Sequence, residues 1–190
     1  MKTLYLFLGR SASGKSSLAK AFCEKNGLVQ VRSYATRPMR PGEEVNADHI
    51  FIKPEEVDAY RDDMAAYTKI GDYEYFTTWD QLMQCDVYVI DPVGYYDLRD
   101  KIAAGNKPIR LVPVYVHLMT GIRKQRALDR GDDIEVFEKR NADEKEQFTA
   151  FERDVKNIPE LILLDNSLNM EYTLTELASK IIWQELENAV

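Results

Sequence analysis

The stretch "GRSASGKSS", Gly9 to Ser17, stands between the apolar run "LYLFL" and "LAKAFCEKNG". Gly9 and Gly14 bracket four residues and are followed by Lys15 and Ser16, which fits the pattern G-x-x-x-x-G-K-[ST]. Glycines let a strand-to-helix loop curl until successive backbone N–H groups point inward. A helix starting near Lys15 adds the positive end of its dipole at the same point. Gly9, Ser11, Ala12, Ser13, Gly14, Lys15, Ser16 and Ser17 are therefore expected around the phosphates of ATP, with Lys15 toward the β- and γ-phosphates and the Ser16 hydroxyl as a ligand for Mg²⁺. An acid at the end of a second strand would complete the metal site, directly or through a bound water, and "VYVID" supplies Asp91. The competing role for Asp91 is the N-cap of the helix that follows.

Outward from the loop, short apolar runs alternate with amphipathic stretches. Strands are expected at Thr3–Leu8, Leu28–Ser33, Asp86–Asp91, Leu111–Leu118 and Leu161–Asp165, and helices at 15–25, 94–104, 120–129, 135–155 and 172–188. Near-continuous apolar strands belong in a parallel sheet covered on both faces. The fold class is therefore α/β, a three-layer P-loop fold with a mostly parallel five-stranded sheet. Tyr34 to Met83 breaks the alternation with a Pro/Arg-rich start and "AYTKIGDYEYFTT", which reads as antiparallel strands. It is expected as an inserted lobe (34–83) on one domain spanning 1–190, with the core at 1–33 and 84–190.

Composition narrows the classes of function. The 190 residues, 45% of them apolar, are enough for one sizeable core. A net charge of −7 with no basic run argues against nucleic acid as a partner. Cys23 and Cys85 lie far apart and read as buried or half-buried thiols, not as a disulfide framework or a zinc knuckle. No apolar stretch approaches the ~18 residues of a membrane span, and the N-terminus runs straight into the loop without a cleavable signal. The expected setting is the cytoplasm, with small nucleotides as partners and the protein a monomer or homodimer.

"SYATRPMRPGE", Ser33 to Glu43, carries Arg37 and Arg40 in a backbone held open by Pro38 and Pro41, so that two guanidinium groups can address one phosphate dianion. The alternative is a solvated basic turn. Here the sequence resembles the guanylate kinase family, most specifically through S-x-x-T-R-x-x-R-x-G-E at Ser33, Thr36, Arg37, Arg40, Gly42 and Glu43. The resemblance covers nearly the whole chain. It implies that Ser33, Arg37 and Arg40 hold the acceptor nucleotide inside the inserted lobe. "DHIFI" occupies the place of D-Y-x-F, so His49 stands where a phosphate-binding tyrosine is usual. "GDYEYFTT" is an altered G-x-Y-G-[ST], with Tyr75 and Thr77 as the counterparts and Tyr73 a competing candidate. Three departures matter: the guanine-reading glutamate falls at Ala65 or Ala66, Val89 replaces an aspartate two residues before Asp91, and Val93 replaces the glutamine of D-x-Q-G.

The resemblance also implies a lid at about 130–150 whose arginines close on the transferring phosphoryl group, assigned to Arg130 and Arg140, with Arg126 on the ATP side. Arg123 shares a helix face with Arg126 and Arg130 and stays undecided, and pairing with Asp132, Asp133, Glu135 and Glu138 is the alternative for the whole set. "LLDNSL" resembles the family's turn near adenine, which points to Asp165 or Asn166 as a base contact or a cap. Together these imply a nucleoside monophosphate kinase using ATP and Mg²⁺ with GMP or dGMP. The alternatives are a kinase for a different nucleotide or small phosphorylated acceptor, and a non-catalytic interaction module.

Overall fold

The computed structural model describes residues 1–39, 43 and 48–188. At its centre is β1 (Lys2–Leu8), where every second side chain faces the same way. Leu4, Leu6 and Leu8 enter one apolar cluster while Phe7 enters the other, and all four are fully buried. A strand with two apolar faces needs a layer on each side. One layer is α3 (Pro92–Ala104) with α6 (Lys145–Asp154), which contribute Tyr95, Leu98, Phe148 and Phe151. The other is α1 (Lys15–Asn26) with α7 (Met170–Asn188), which contribute Leu18, Phe22 and Leu177.

Among the described residues the core sheet has four strands, all parallel, in the order β6 (Val87–Val89), β1, β7 (Ile109–His117), β8 (Ile162–Asp165). The α/β class and the parallel sheet are as expected. The strand expected over Leu28–Ser33 is reduced to a single bridge, Gln30 to Val87, on the outer side of β6. Its end is taken by another sheet, since Ser33–Ala35 forms β2 in the lobe. The chain moves out one way from β1 to β6 and the other way to β7. The loop after β1 therefore opens into the crevice at the reversal point, where ligands of such sheets bind.

The segment expected as an inserted lobe forms a second sheet, ordered β3 (His49–Phe51), β2, β5 (Tyr73–Thr78), β4 (Met64–Ile70). A 3₁₀ helix (Pro54–Asp63) and α2 (Trp79–Gln84) complete it, around Val57, Met64 and Phe76. β4 is docked on α3, where the Tyr67 amide donates to Asp97 and the Lys101 ammonium to the Met64 carbonyl. The helix expected at 135–155 is two helices, α5 (Ile134–Asp143) and α6, with Glu144 between them. Before them runs α4 (Thr120–Asp129).

Candidate active site

The loop between β1 and α1 is built around its glycines. A Cβ on Gly9 would lie 2.7 Å from the Val116 carbonyl of β7, and Gly14 sits at φ +89 with a would-be Cβ 2.5 Å from the Asn166 amide nitrogen. Ala12 is also left-handed, at φ 61. The curl is fastened from outside. Asn166, nearly fully buried after β8, donates to the Ser13 carbonyl at 2.8 Å and accepts from the Thr173 hydroxyl at 3.1 Å. Arg126 donates to the Asn166 carbonyl at 2.7 Å. Arg126, Arg130 and Asn166 line one recess together with Ala12, Gly14 and Ser17.

On the opposite side of the loop lies a cavity of about 260 Å³. Gly9, Ser11, Lys15 and Ser16 line it from the loop, and Ser33, Arg37, His49 and Tyr75 line it from the lobe. Donor-side and acceptor-side residues, read from separate motifs, thus face one space. Ser33 Oγ and His49 Nδ1 are 2.9 Å apart. The His49 pKa lies below its ordinary value, first because of burial and then because of Arg37. Arg37 is 5% exposed, held by both oxygens of Glu43 at 2.7 and 2.6 Å, and lies over the Phe51 ring. Burial works against its charge, yet the Glu43 carboxylate outweighs that and holds its pKa above the ordinary value. Among the described residues its Nε is buried without a hydrogen-bond partner. Arg40 and Gly42 lie outside the described residues.

Other expected positions are less simply placed. Thr77 is fully buried, with its hydroxyl donating to Gln81, and it is not among the residues lining the cavity. Alternation along β5 puts Thr77 on the same face as Tyr75, but its hydroxyl is taken up by Gln81. Ala66, the partner of Thr77 across the β4–β5 ladder, does line the cavity, and both it and Ala65 pack into the core. The Asp91 carboxylate borders the cavity but caps α3, accepting from the Gly94 amide at 2.9 Å and from the Thr68 hydroxyl at 3.1 Å. Desolvation raises its pKa, against those hydrogen bonds and Lys15. Arg130 is 57% exposed at its side chain and is paired with Asp132. Arg140 lines a wider groove with Arg37 and Tyr75. The two arginines expected in the lid therefore line different recesses.

Arg123, undecided from sequence, is 2% exposed. It donates to the carbonyls of Leu118 and Ser11, to Thr120 Oγ1 and to Asn141 Oδ1. It is a strut between the loop and α5. Sequence reading missed Glu144, which accepts from the Ser11 amide at 2.8 Å and also from its hydroxyl. It also missed Arg10, bound bidentately by Glu152 at 3.0 Å. Glu144, Phe148 and Glu152 repeat every four residues, which places them on one helix face. That spacing is the only local signal that was available.

Comparison with known proteins bears on what this site serves. No family model matches the chain. A guanylate kinase from Vibrio parahaemolyticus serotype O3:K6 is 30% identical over 161 residues, 78% of this chain and 75% of that protein. The chain belongs to the guanylate kinase family. A second guanylate kinase, from Legionella pneumophila strain Lens, is 44% identical over 54 residues, 28% of this chain and 26% of that one. Among solved structures, guanylate kinase from Anaplasma phagocytophilum superposes with a TM-score of 0.65 over 96% of this chain and 86% of its own, at 16% identity. A gluconokinase from Sinorhizobium meliloti reaches 0.54 over 98% and 95%, at 15% identity. At such identities the superpositions establish the fold, and the guanylate kinase family assignment rests on the Vibrio relative.

Proposed function

We propose that this chain is an ATP-dependent nucleoside monophosphate kinase that transfers the terminal phosphoryl group of ATP to GMP or dGMP. The observation that carries the reading is the single cavity shared by Lys15 and Ser16 of the loop and by Ser33, Arg37, His49 and Tyr75 of the lobe. Phosphoryl transfer needs little covalent help from a protein. It needs two anions held in line, positioned cations and exclusion of water.

In this reading the amides from Ala12 to Ser17 hold the donor's phosphates, and Lys15 follows the charge on the transferring group. Arg37 exchanges Glu43 for the acceptor's phosphate, and its unpartnered Nε is one donor that this exchange would satisfy. Ser33, His49, Tyr75 and Arg40 complete the acceptor site. Arg130 and Arg140 close from the lid (about 130–150) over the lobe (34–83). Arg126 and Asn166 stand on the far side of the loop, where the donor's nucleoside would lie.

The residues present fit a magnesium ion carried in on the phosphates. Ser16 borders the cavity, and among the described residues no group of three acidic, His or Cys side chains gathers to hold an ion without substrate. When bound, the ion would neutralise charge on the transferring oxygens. Ser16 would ligate it, and Asp91 would act through water, since its carboxylate already caps α3.

Ala66 at the cavity wall, where a guanine-reading glutamate is expected, favours a second reading in which the donor half is kept and the acceptor carries a different base. The intact loop disfavours a non-catalytic module. No helix among the described residues is long and apolar enough to cross a membrane, and a cytoplasmic setting with nucleotide partners follows from the proposed substrates. A coupled ADP-release assay across the ribo- and deoxyribonucleoside monophosphates tests all three readings. Turnover with GMP or dGMP supports the first, turnover with another acceptor alone selects the second, and turnover with none selects the module.

A further inference from the structure

Ser11 is held at every polar atom it has. Its N–H and hydroxyl donate to the two oxygens of Glu144, and its carbonyl accepts from Arg123 at 3.1 Å. A carboxylate thus occupies an amide of a loop whose curl gathers amides for anions. Glu144 lines the cavity that also holds Lys15, Ser16 and Arg37, and not the recess on the Asn166 side. The phosphate that comes nearest Ser11 is therefore the one nearest the acceptor, the terminal phosphate of a nucleoside triphosphate. Two anions do not share one amide, and like charges at contact distance repel.

We propose that Glu144 stands in for the donor's terminal phosphate in the nucleotide-free protein, is displaced by it, and thereby makes the loop and the lid respond together to a triphosphate. The link to the lid is short. Glu144 sits at the break between α5 and α6, and its amide donates to the carbonyl of Arg140 at 3.0 Å. Moving the carboxylate off Ser11 turns the end of the helix that carries Arg140. Glu144 is then a positioning residue that separates triphosphate from diphosphate. A diphosphate, held by the amides further along the loop, leaves the Ser11 contact in place. The inference rests on the donor-site reading above.

The test is equilibrium binding of ATP and of ADP, each with Mg²⁺ and without acceptor, to the full chain and to Glu144→Ala and Glu144→Gln. Removing the competing charge is expected to tighten ATP about tenfold in Glu144→Ala, with ADP changed less than about twofold. Glu144→Gln, which keeps the shape and one acceptor oxygen, is expected to move the ATP-to-ADP affinity ratio the same way by about threefold. This variant serves if the alanine form does not fold. A purely structural role would move both nucleotides together, and a role in holding the metal would weaken ATP. Either result, or an unchanged ratio, overturns the proposal. Failure of the unaltered protein to bind either nucleotide would instead remove the donor site itself.

Discussion

Replacing Arg123 with methionine keeps the length and apolar volume of the side chain and removes only the guanidinium. That group makes four hydrogen bonds in a space closed to water, and among the described residues no carboxylate is bonded to it. Burial holds its pKa below the ordinary arginine value, with Arg10 adding to the effect. Hydrogen bonds from a charged donor contribute roughly 1.5–3 kcal/mol each, so four at the low end come to about 6 kcal/mol. Desolvating the ion costs several kcal/mol in the other direction. A net loss of about 2–3 kcal/mol is expected, which for a domain of this size lowers Tm by about 5–10 °C. Arg123→Lys should recover little, because one ammonium cannot reach Leu118, Ser11, Thr120 and Asn141 together. Thermal unfolding followed by circular dichroism at constant pH and salt measures both variants. A methionine variant within about 2 °C of the parent would refute the reasoning and return Arg123 to the solvated face of α4.

Lys15→Ala should lower kcat by two or more orders of magnitude with the protein still folded, and a steady-state loss below about tenfold would count against electrostatic stabilisation by this residue. Gly14→Ala forces a Cβ at φ +89 against the Asn166 amide. It should cost about 2 kcal/mol between left-handed strain and the lost Ser13 contact, read as a fall in Tm and a weaker ATP Kd. His49 has a folded pKa below its unfolded one, chiefly through burial. The unfolded chain therefore takes up the proton first, and stability at this position is present above about pH 6.5 and declines as pH falls below it. Urea midpoints between pH 7 and 5 should drop less steeply in His49→Asn, and parallel profiles would remove the burial argument.

The sequence made the loop legible because its rule is local: glycine positions, a lysine and a hydroxyl within eight residues, between an apolar strand and a helix. The sheet was legible for the same reason, since β1, β6, β7 and β8 are each an apolar run. Leu28–Ser33, with Leu28, Val29 and Val31 among polar residues, becomes a bridge and a lobe strand, because pairing partners decide strand identity and they lie more than fifty residues away at Val87. The two-residue step from Tyr75 to Thr77 correctly gives one strand face, but it does not show that the Thr77 hydroxyl is taken up by Gln81 from the following helix. Arg123 stayed undecided because its partners Ser11 and Asn141 come from distant segments. Glu144 looked like one acid among many on a charged helix until the fold laid that helix along the loop.

β1 places Leu4, Leu6 and Leu8 in one core and Phe7 in the other, and ends directly in Gly9. The phosphate grip is thus welded to a strand buried on both faces. Amides of Leu4 to Leu8 should exchange hydrogen for deuterium only when the whole chain opens, while those of Lys15 and Ser16, open to the cavity, should slow when a triphosphate binds and raises the melting temperature.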